Sequence, residues 1–164
     1  DNEQGMSATV LRFATLFGLS PRMRFDLTVN TFAMELMTRE DLEVYGEQFW
    51  RPYIHVRDAA RAIILVLSCP RDKVQGHVFN VGDTQENYTK GQLAELVSSE
   101  TEYAGEIKYV QKIEDPRDYR VSFDKIKENL GFQITRTVQD GVKEIVEAIK
   151  NGIITDFENP RYTN

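Results

Sequence analysis

The stretch that decides the fold is Arg51-Pro52-Tyr53-Ile54-His55-Val56-Arg57-Asp58-Ala59-Ala60. Residues 53–56 predict a short strand, because aromatic and β-branched side chains predominate there. An apolar helical pattern follows over residues 57–68, and Asp58 is expected at its N-cap or in its first turn. Arg51 therefore stands at the entrance of a strand, where its forked guanidinium group can hold phosphate oxygens.

Strand-like and helix-like segments alternate along the rest of the chain. Further strands are predicted over residues 8–14 (buried), 42–45, 77–81 and 106–110, and further helices over residues 26–38 (capped by Asp26), 89–99, 122–130 and 137–151. This alternation is typical of the α/β class.

Size, charge and cysteine content narrow the class of protein. A chain of 164 residues with 41% hydrophobic and 28% charged residues is long enough for one domain with its own core. The net charge of −6 argues against a general nucleic-acid-binding protein. Cys69 is the single cysteine, which fits a reducing, cytoplasmic location. We expect no membrane association, because no apolar run approaches the ~20 residues of a membrane span.

Several kinds of chemistry lack their usual residues in this sequence. The ten glycines do not form a glycine-rich dinucleotide-binding loop, and two histidines with one cysteine do not make an ordinary zinc site. None of the seven tyrosines is followed four residues later by a lysine; Tyr53, followed by Arg57, comes nearest. The sequence therefore supplies no evident acid, base or nucleophile, and no metal site.

What remains is chemistry suited to binding an anion. Arg51 lies at a strand entrance, Arg117 lies in a turn-rich run, and Arg22 and Arg24 precede a predicted helix. In an open α/β sheet such loops can converge on one crevice, although loop arginines are commonly only solvated or paired. Tyr45 can stack on a base or simply pack. His55, inside an apolar strand, is interpreted as a core histidine.

Several segments in their order resemble the extended short-chain dehydrogenase/reductase family, in particular the C-terminal, substrate-binding part of NAD-dependent nucleotide-sugar epimerases and dehydratases. The similar segments are Arg12-Phe13-Ala14-Thr15-Leu16-Phe17-Gly18, Ser20-Pro21-Arg22-Met23-Arg24-Phe25-Asp26 with Asn30, Val44-Tyr45-Gly46, Arg51 to Asp58, Val78-Phe79-Asn80-Val81-Gly82, Asp115-Pro116-Arg117-Asp118-Tyr119, and Lys125-Ile126 with Leu130-Gly131-Phe132. The resemblance implies the last strands of a Rossmann-like parallel sheet interleaved with a small α/β substrate-binding domain, in one C-terminal fragment over residues 1–164.

The resemblance also implies roles for individual residues. Arg51 would bind the substrate diphosphate, and Arg117 would face the diphosphate or the nucleoside ribose from the other side. Asn30, with Arg24 and Phe25 nearby, would contact a phosphate. The remaining implied positions are the base pocket at Val44 and Tyr45, the sugar or phosphate contact at Thr15 (where many relatives have asparagine), and main-chain contacts to the nicotinamide of NAD at Phe13 and Leu16.

The family's glycine-rich loop and Tyr-x-x-x-Lys helix precede the segment that resembles residues 8–14, and the chain itself begins at Asp1. We therefore expect a fragment that lacks the N-terminal half, which binds most of the NAD, and that needs this missing half. Its strand over residues 8–14 is expected to have an open apolar edge, and the fragment is expected to be inactive alone. The parent protein is expected to be a homodimer. Two other interpretations stay open: a non-catalytic nucleotide-binding or regulatory module of the same fold, and a related NAD(P)-dependent reductase.

Overall fold

Seven strands and the helices between them alternate through the described part of the chain, which in this computed structural model is residues 8–38, 41–102, 105–157 and 159–162. The strands are β1 (Val10–Phe13), β2 (Thr15–Phe17), β3 (Asp41–Tyr45), β4 (Trp50–His55), β5 (Val78–Val81), β6 (Asn87–Thr89) and β7 (Glu106–Val110). The helices are α1 (Thr28–Thr38), α2 (Val56–Ser68), α3 (Arg71–Val74), α4 (Lys90–Thr101), α5 (Asp124–Leu130) and α6 (Val138–Lys150). The predicted α/β class is confirmed.

The strands form small, mostly parallel sheets. Strand β1 pairs in parallel with β5, β3 pairs in parallel with β7, and β4 lies between parallel β2 and antiparallel β6. The single strand predicted over residues 8–14 is therefore corrected. Ala14 donates its N–H to the carbonyl of Val81, and the chain then changes partner and continues as β2 beside β4.

Strand β4 separates two hydrophobic clusters. Tyr53 belongs to the cluster packed by α1, α4 and α6, whereas Ile54 belongs to the cluster packed by α2, α5 and β5. Both of these side chains are essentially inaccessible to solvent. Burial on both faces explains why this strand has a nearly continuous apolar run instead of an alternating pattern.

Strand β1 is not buried, contrary to the sequence prediction. Val10, Arg12 and Phe13 are all exposed, because within the described residues β1 has a strand neighbour on one side only. Ile63, Ile64 and Leu67 on α2 are exposed as well, so β1 and α2 present apolar side chains to solvent. Among the described helices, none has the length and apolarity needed to cross a bilayer.

Helix starts depend on local hydrogen bonds. Thr89 and Thr137 begin α4 and α6 through capping boxes with Gln92 and Asp140, as the sequence predicted. Asp26 is not the cap of α1, because its carboxylate instead accepts two hydrogen bonds from the guanidinium of Arg24 at 2.9 and 2.6 Å. Helix α1 accordingly begins two residues later.

Candidate functional site

A buried carboxylate gathers three cations at the beginning of β4. The side chain of Asp115 is only 1% exposed, and its Oδ2 accepts a hydrogen bond from the guanidinium of Arg51 at 2.8 Å. The same Oδ2 lies 3.4 Å from Nζ of Lys90. Its Oδ1 accepts the backbone N–H of Arg117 at 3.0 Å, and Nε of Arg117 lies 3.6 Å away. The structure thus brings together Arg51 and Arg117, which the sequence predicted to act on one ligand. We call Asp115, Arg51, Lys90 and Arg117 the Asp115 cluster.

The loop that carries Asp115 and Arg117 is held by contacts to β4 and β6. The buried amide of Asn87 accepts the N–H of Val121 at 3.0 Å and donates to the carbonyl of the same residue at 3.0 Å. Asp118 accepts the N–H of Trp50 through its carboxylate at 2.8 Å. These bonds hold the chain on the C-terminal side of the turn, and the N–H of Asp118 closes the turn by donating to the carbonyl of Asp115 at 3.0 Å.

The electrostatics of the cluster favour an additional anion. Burial alone would raise the pKa of Asp115, but the N–H of Arg117 and the charges of Arg51 and Lys90 lower that pKa to about 2. Burial also lowers the pKa of Lys90, while Asp115 opposes that shift. Three cationic side chains around one carboxylate leave an excess of two positive charges.

Two tyrosines lie next to the cluster, Tyr119 through its ring and Tyr45 through its main chain. The guanidinium of Arg51 lies 5.8 Å from the ring centre of Tyr119, and Nζ of Lys90 donates to the carbonyl of Tyr45 at 3.0 Å. The side chain of Tyr45 is half exposed, and its hydroxyl donates to Glu43. Val44 points into the core and is completely buried, so it can border a ligand only through its main chain.

A small cavity of about 130 Å³ lies near the opposite end of β4 and unites three other predicted positions. Its lining includes Leu16, Arg24 and Asn30, together with Gly18 and Val56. Arg51 and His55 mark the two ends of β4, four residues apart, which corresponds to about 13 Å of extended chain. The Asp115 cluster and this cavity are therefore separate, and the arginine loops do not all converge at one point.

Asn30 shapes the turn at Gly18. Its Oδ1 accepts the N–H of Gly18 at 3.1 Å, and its Nδ2 donates to the carbonyl of Arg24 at 3.0 Å. The side chain is buried, so a ligand contact would have to use the second N–H of its amide. Phe25 is also buried, against Phe157 and Tyr162. Its N–H donates to the carbonyl of Tyr162 at 2.9 Å and its carbonyl accepts the hydroxyl of Thr31 at 2.6 Å, so its main chain is engaged within the protein.

The two predicted cofactor positions lie on the exposed side of the molecule. Phe13 and Leu16 are 39% and 38% exposed, and Leu16 also borders the cavity beside Gly18. Thr15, between them, is partly buried and lies opposite Tyr53 in the β2–β4 register.

His55 is a fully buried core residue, which confirms its sequence interpretation. Its Nδ1 accepts the N–H of Arg57, so the proton of the neutral ring lies on Nε2, 3.1 Å from a carboxylate oxygen of Glu144. Burial lowers the pKa of His55 more strongly than Glu144 raises it. His55 also caps α2, which was one of the two positions that the sequence allowed for Asp58.

Asp58 lies in the first turn of α2, the other position expected for it, but its buried carboxylate bonds to a distant segment. It accepts hydrogen bonds from both backbone N–H groups of Thr135 and Arg136 at 2.9 Å, and from the hydroxyl of Thr135 at 2.9 Å. Arg61 donates to it as well, at 2.6 Å. Burial would raise the pKa of Asp58, but these hydrogen bonds lower it. Asp58 therefore joins α2 to the segment that leads into α6.

Sequence reasoning missed Lys90 and Glu86. Lys90 is the first residue of α4, where a positive charge is unfavourable because of the helix dipole. A lysine at the start of a predicted helix was therefore the feature of the sequence that could have identified this residue. Glu86 is buried and accepts the N–H of Val138 at 2.8 Å, at the start of α6; burial raises its pKa. Nothing in the local sequence distinguishes Glu86 from a solvated glutamate. Within the described ranges, no group of three or more His, Cys, Asp or Glu side chains could hold a metal ion.

Comparison with known proteins identifies the family. The sequence model described as "NAD dependent epimerase/dehydratase family" matches residues 1–82, half of the 164-residue chain. UDP-D-apiose/UDP-D-xylose synthase 2 of Arabidopsis thaliana is 31% identical over 126 residues, which cover 70% of this chain and 31% of that protein. The chain belongs to the NAD-dependent epimerase/dehydratase family.

Solved structures agree with the fold. UDP-glucose 4-epimerase of Thermotoga maritima, solved with UDP-glucose, matches 93% of this chain and 49% of its own with a TM-score of 0.78 and 27% identity. UDP-glucuronic acid 4-epimerase of Bacillus cereus, in complex with UDP-glucuronic acid and NAD, has the same fold, with a TM-score of 0.77, 18% identity and coverage of 92% and 47%. The chain thus spans roughly a third to a half of the length of its relatives.

Proposed function

We propose that this chain is the substrate-binding part of an NAD-dependent nucleotide-sugar epimerase or dehydratase. In this proposal the Asp115 cluster binds the diphosphate of the substrate, and the sugar extends toward the cavity at Gly18. The observation that carries the proposal is the excess of positive charge fixed around the buried carboxylate of Asp115. Relatives named for UDP-sugars favour a uridine nucleotide as the ligand.

The cluster suits a diphosphate in both charge and geometry. A diphosphate that links two ester groups carries two negative charges at neutral pH, which match the two excess positive charges of the cluster. Arg51 offers several N–H donors in a planar fork, and its hydrogen bond to Asp115 holds that fork in one orientation. Tyr45 and Tyr119, half exposed at the border, offer ring surfaces to a base.

NAD would supply the chemistry of hydride transfer by accepting a hydride from the sugar. In this chain Phe13 and Leu16 would border its nicotinamide, and the buried His55 would hold the turn at Gly18 between them and the sugar. We further propose that most contacts to NAD, and the tyrosine and lysine that act on the sugar hydroxyl, come from residues outside these 164. The natural protein is proposed to be a cytoplasmic homodimer, and this chain alone is proposed to catalyse no turnover.

Titration of UDP into the natural protein and into its Arg51→Ala variant tests the proposal. Removing a charged hydrogen bond costs about 1.5–3 kcal/mol, so the affinity should fall by a factor between about 12 and about 150. Arg71→Ala, on the distant helix α3, removes the same charge and should leave the affinity within about twofold. Unchanged UDP affinity in a folded Arg51→Ala protein would contradict the proposal and favour a reductase whose substrate has no nucleotide.

A further inference from the structure

We propose that Lys90 is a third phosphate-binding cation of the Asp115 cluster, and that its Nζ donates directly to the diphosphate beside Arg51 and Arg117. This inference rests on the proposed function and assigns a residue for which the sequence motifs gave no role. Lys90 comes from α4, whereas Arg51 comes from β4 and Arg117 from the loop after β7. A ligand held by all three would therefore contact three separate elements.

Lys90 is held in an electrostatically unfavourable position. It is the first residue of α4, where the helix dipole disfavours a cation, and its side chain is only 16% exposed. Burial accordingly lowers its pKa, and the neighbouring charge of Arg51 acts in the same direction. With most other residues at this position the folded protein would be more stable, so solvation alone does not account for a lysine here.

The contacts of Lys90 compensate this cost only in part. Its Nζ donates to the carbonyl of Tyr45 at 3.0 Å, but it lies 3.4 Å from the Oδ2 of Asp115. That oxygen is already bonded to Arg51 at the shorter distance of 2.8 Å. An ammonium group has three N–H donors, so the two recorded acceptors leave one donor for a ligand. A phosphate oxygen bound between Lys90 and Arg51 would relieve the repulsion between the two cations.

The position of the ammonium group is fixed in advance. The backbone N–H of Lys90 donates to the carbonyl of Phe49 at 3.1 Å, and its Nζ lies 5.9 Å from the ring centre of Phe49. The next residue, Gly91, donates to the carbonyl of Glu47 at 2.9 Å. Ordering this side chain on binding therefore costs little conformational entropy, which favours a direct role in affinity.

The experiment compares Lys90→Met with Lys112→Met in the natural protein, using UDP and uridine as probes. Lys112 is exposed in the same neighbourhood and acts on Lys90 through its charge, so both variants lose one positive charge near the site. Lys90→Met should bind UDP about tenfold or more weakly, with uridine affinity unchanged. Lys90→Arg should restore most of the UDP affinity, and Lys112→Met should remain within about twofold of wild type.

A purely structural role for Lys90, as a tie between α4 and the end of β3, gives a different result. It would lower the stability of Lys90→Met and weaken UDP and uridine equally, which would overturn the inference. Should Lys90→Met fail to fold, acetylation of the wild-type protein followed by mass spectrometry still decides. UDP, but not uridine, should protect Lys90 at least severalfold while Lys112 keeps its reactivity, and equal reactivity of Lys90 with and without UDP would overturn the inference.

The outcomes also separate this inference from the proposed function. If Arg51→Ala weakens UDP binding and Lys90→Met does not, the diphosphate site stands without Lys90. If the wild-type protein does not bind UDP at all, both proposals fail together.

Discussion

Gly18 and Gly141 both lie against the imidazole ring of His55, and neither position has room for a side chain. A Cβ on Gly18 would lie 2.1 Å from Nε2 of His55, and a Cβ on Gly141 would lie 2.4 Å from the ring of Phe17 and 3.2 Å from that of His55. Gly18 also has a φ of +98°, which other residues rarely adopt. The ring of Phe17 packs edge-on against His55, with ring centres 5.3 Å apart. The ring of His55, packed by Phe17, thus lies against Gly18, which lines the proposed sugar cavity.

Gly141→Ala should destabilise the protein although alanine favours a helix. The added methyl group must displace the ring of Phe17, and overpacking of this kind costs about 1–3 kcal/mol. At a contact of only 2.4 Å we expect the upper part of that range, which outweighs the ~1 kcal/mol gained in helix propensity. Gly91→Ala in α4 is the matched control, because its Cβ would meet Glu47 at an ordinary 3.4 Å. Urea unfolding should show a loss for Gly141→Ala and no loss for Gly91→Ala; equal stabilisation of both would refute the packing argument.

Among the helices and strands, buried polar side chains connect segments that are far apart in the sequence. Asp58 joins α2 to the segment before α6, Glu86 meets the first N–H of α6, and Asn87 fixes the loop after β7. Each accepts hydrogen bonds from backbone N–H groups that would otherwise be unpaired. These connections, rather than the short sheets, set the distances between the elements that carry the proposed site.

Asp58→Asn should cost about 3 kcal/mol in unfolding free energy at pH 7. The amide of asparagine would point its own N–H group at the N–H groups from which Asp58 now accepts hydrogen bonds. The pKa of Asp58 is lowered in the folded protein, so its stabilisation is present above its ordinary pKa of 3.8 and is lost as the pH falls through the folded value. The difference between the two proteins should therefore shrink below about pH 3.8.

The matched control for this change is Asp140→Asn, in the exposed capping box of α6, for which we expect about 1 kcal/mol. Urea denaturation of both variants between pH 7 and pH 3 measures the two losses. An equal, small loss for both would show that the buried connection contributes no more than an ordinary helix cap.

At the scale of the whole molecule, one apolar face is exposed. Leu67 on α2 is 81% exposed and Ile64 is 63% exposed. Val10 and Phe13 are also exposed, on strand β1, which within the described residues has a strand neighbour on one side only. An open strand edge beside exposed apolar side chains favours self-association. The 164-residue chain by itself should therefore be poorly soluble, in agreement with the open edge that its sequence predicts.

Ile64→Lys with Leu67→Lys should raise the solubility of the isolated chain without loss of helicity, as measured by light scattering and circular dichroism. The control is Ile113→Lys with Ile153→Lys, which changes two equally exposed apolar side chains (91% and 73%) away from α2 and β1. Similar gains from both pairs would mean that added charge in general, and not this face, governs solubility.

The amino-acid sequence was enough to predict the α/β alternation, the starts of α4 and α6, the core role of His55 and the family. These features depend on local signals: hydrophobic period, capping residues, and short motifs whose order is retained. Element ends were less accurate, as at β4, which begins at Trp50 because Arg51 and Pro52 pair with β6.

The role of Asp115 as the shared partner of Arg51 and Arg117, the approach of Lys90 to it, and the burial of Asp58 and Glu86 required the three-dimensional structure. These residues come from segments up to 66 positions apart (from 51 to 117), and their approach depends on long-range packing and backbone hydrogen bonds. The sequence does not show whether a charged side chain is solvated or buried. The fold assigns its environment, and the environment sets its charge state and its partners.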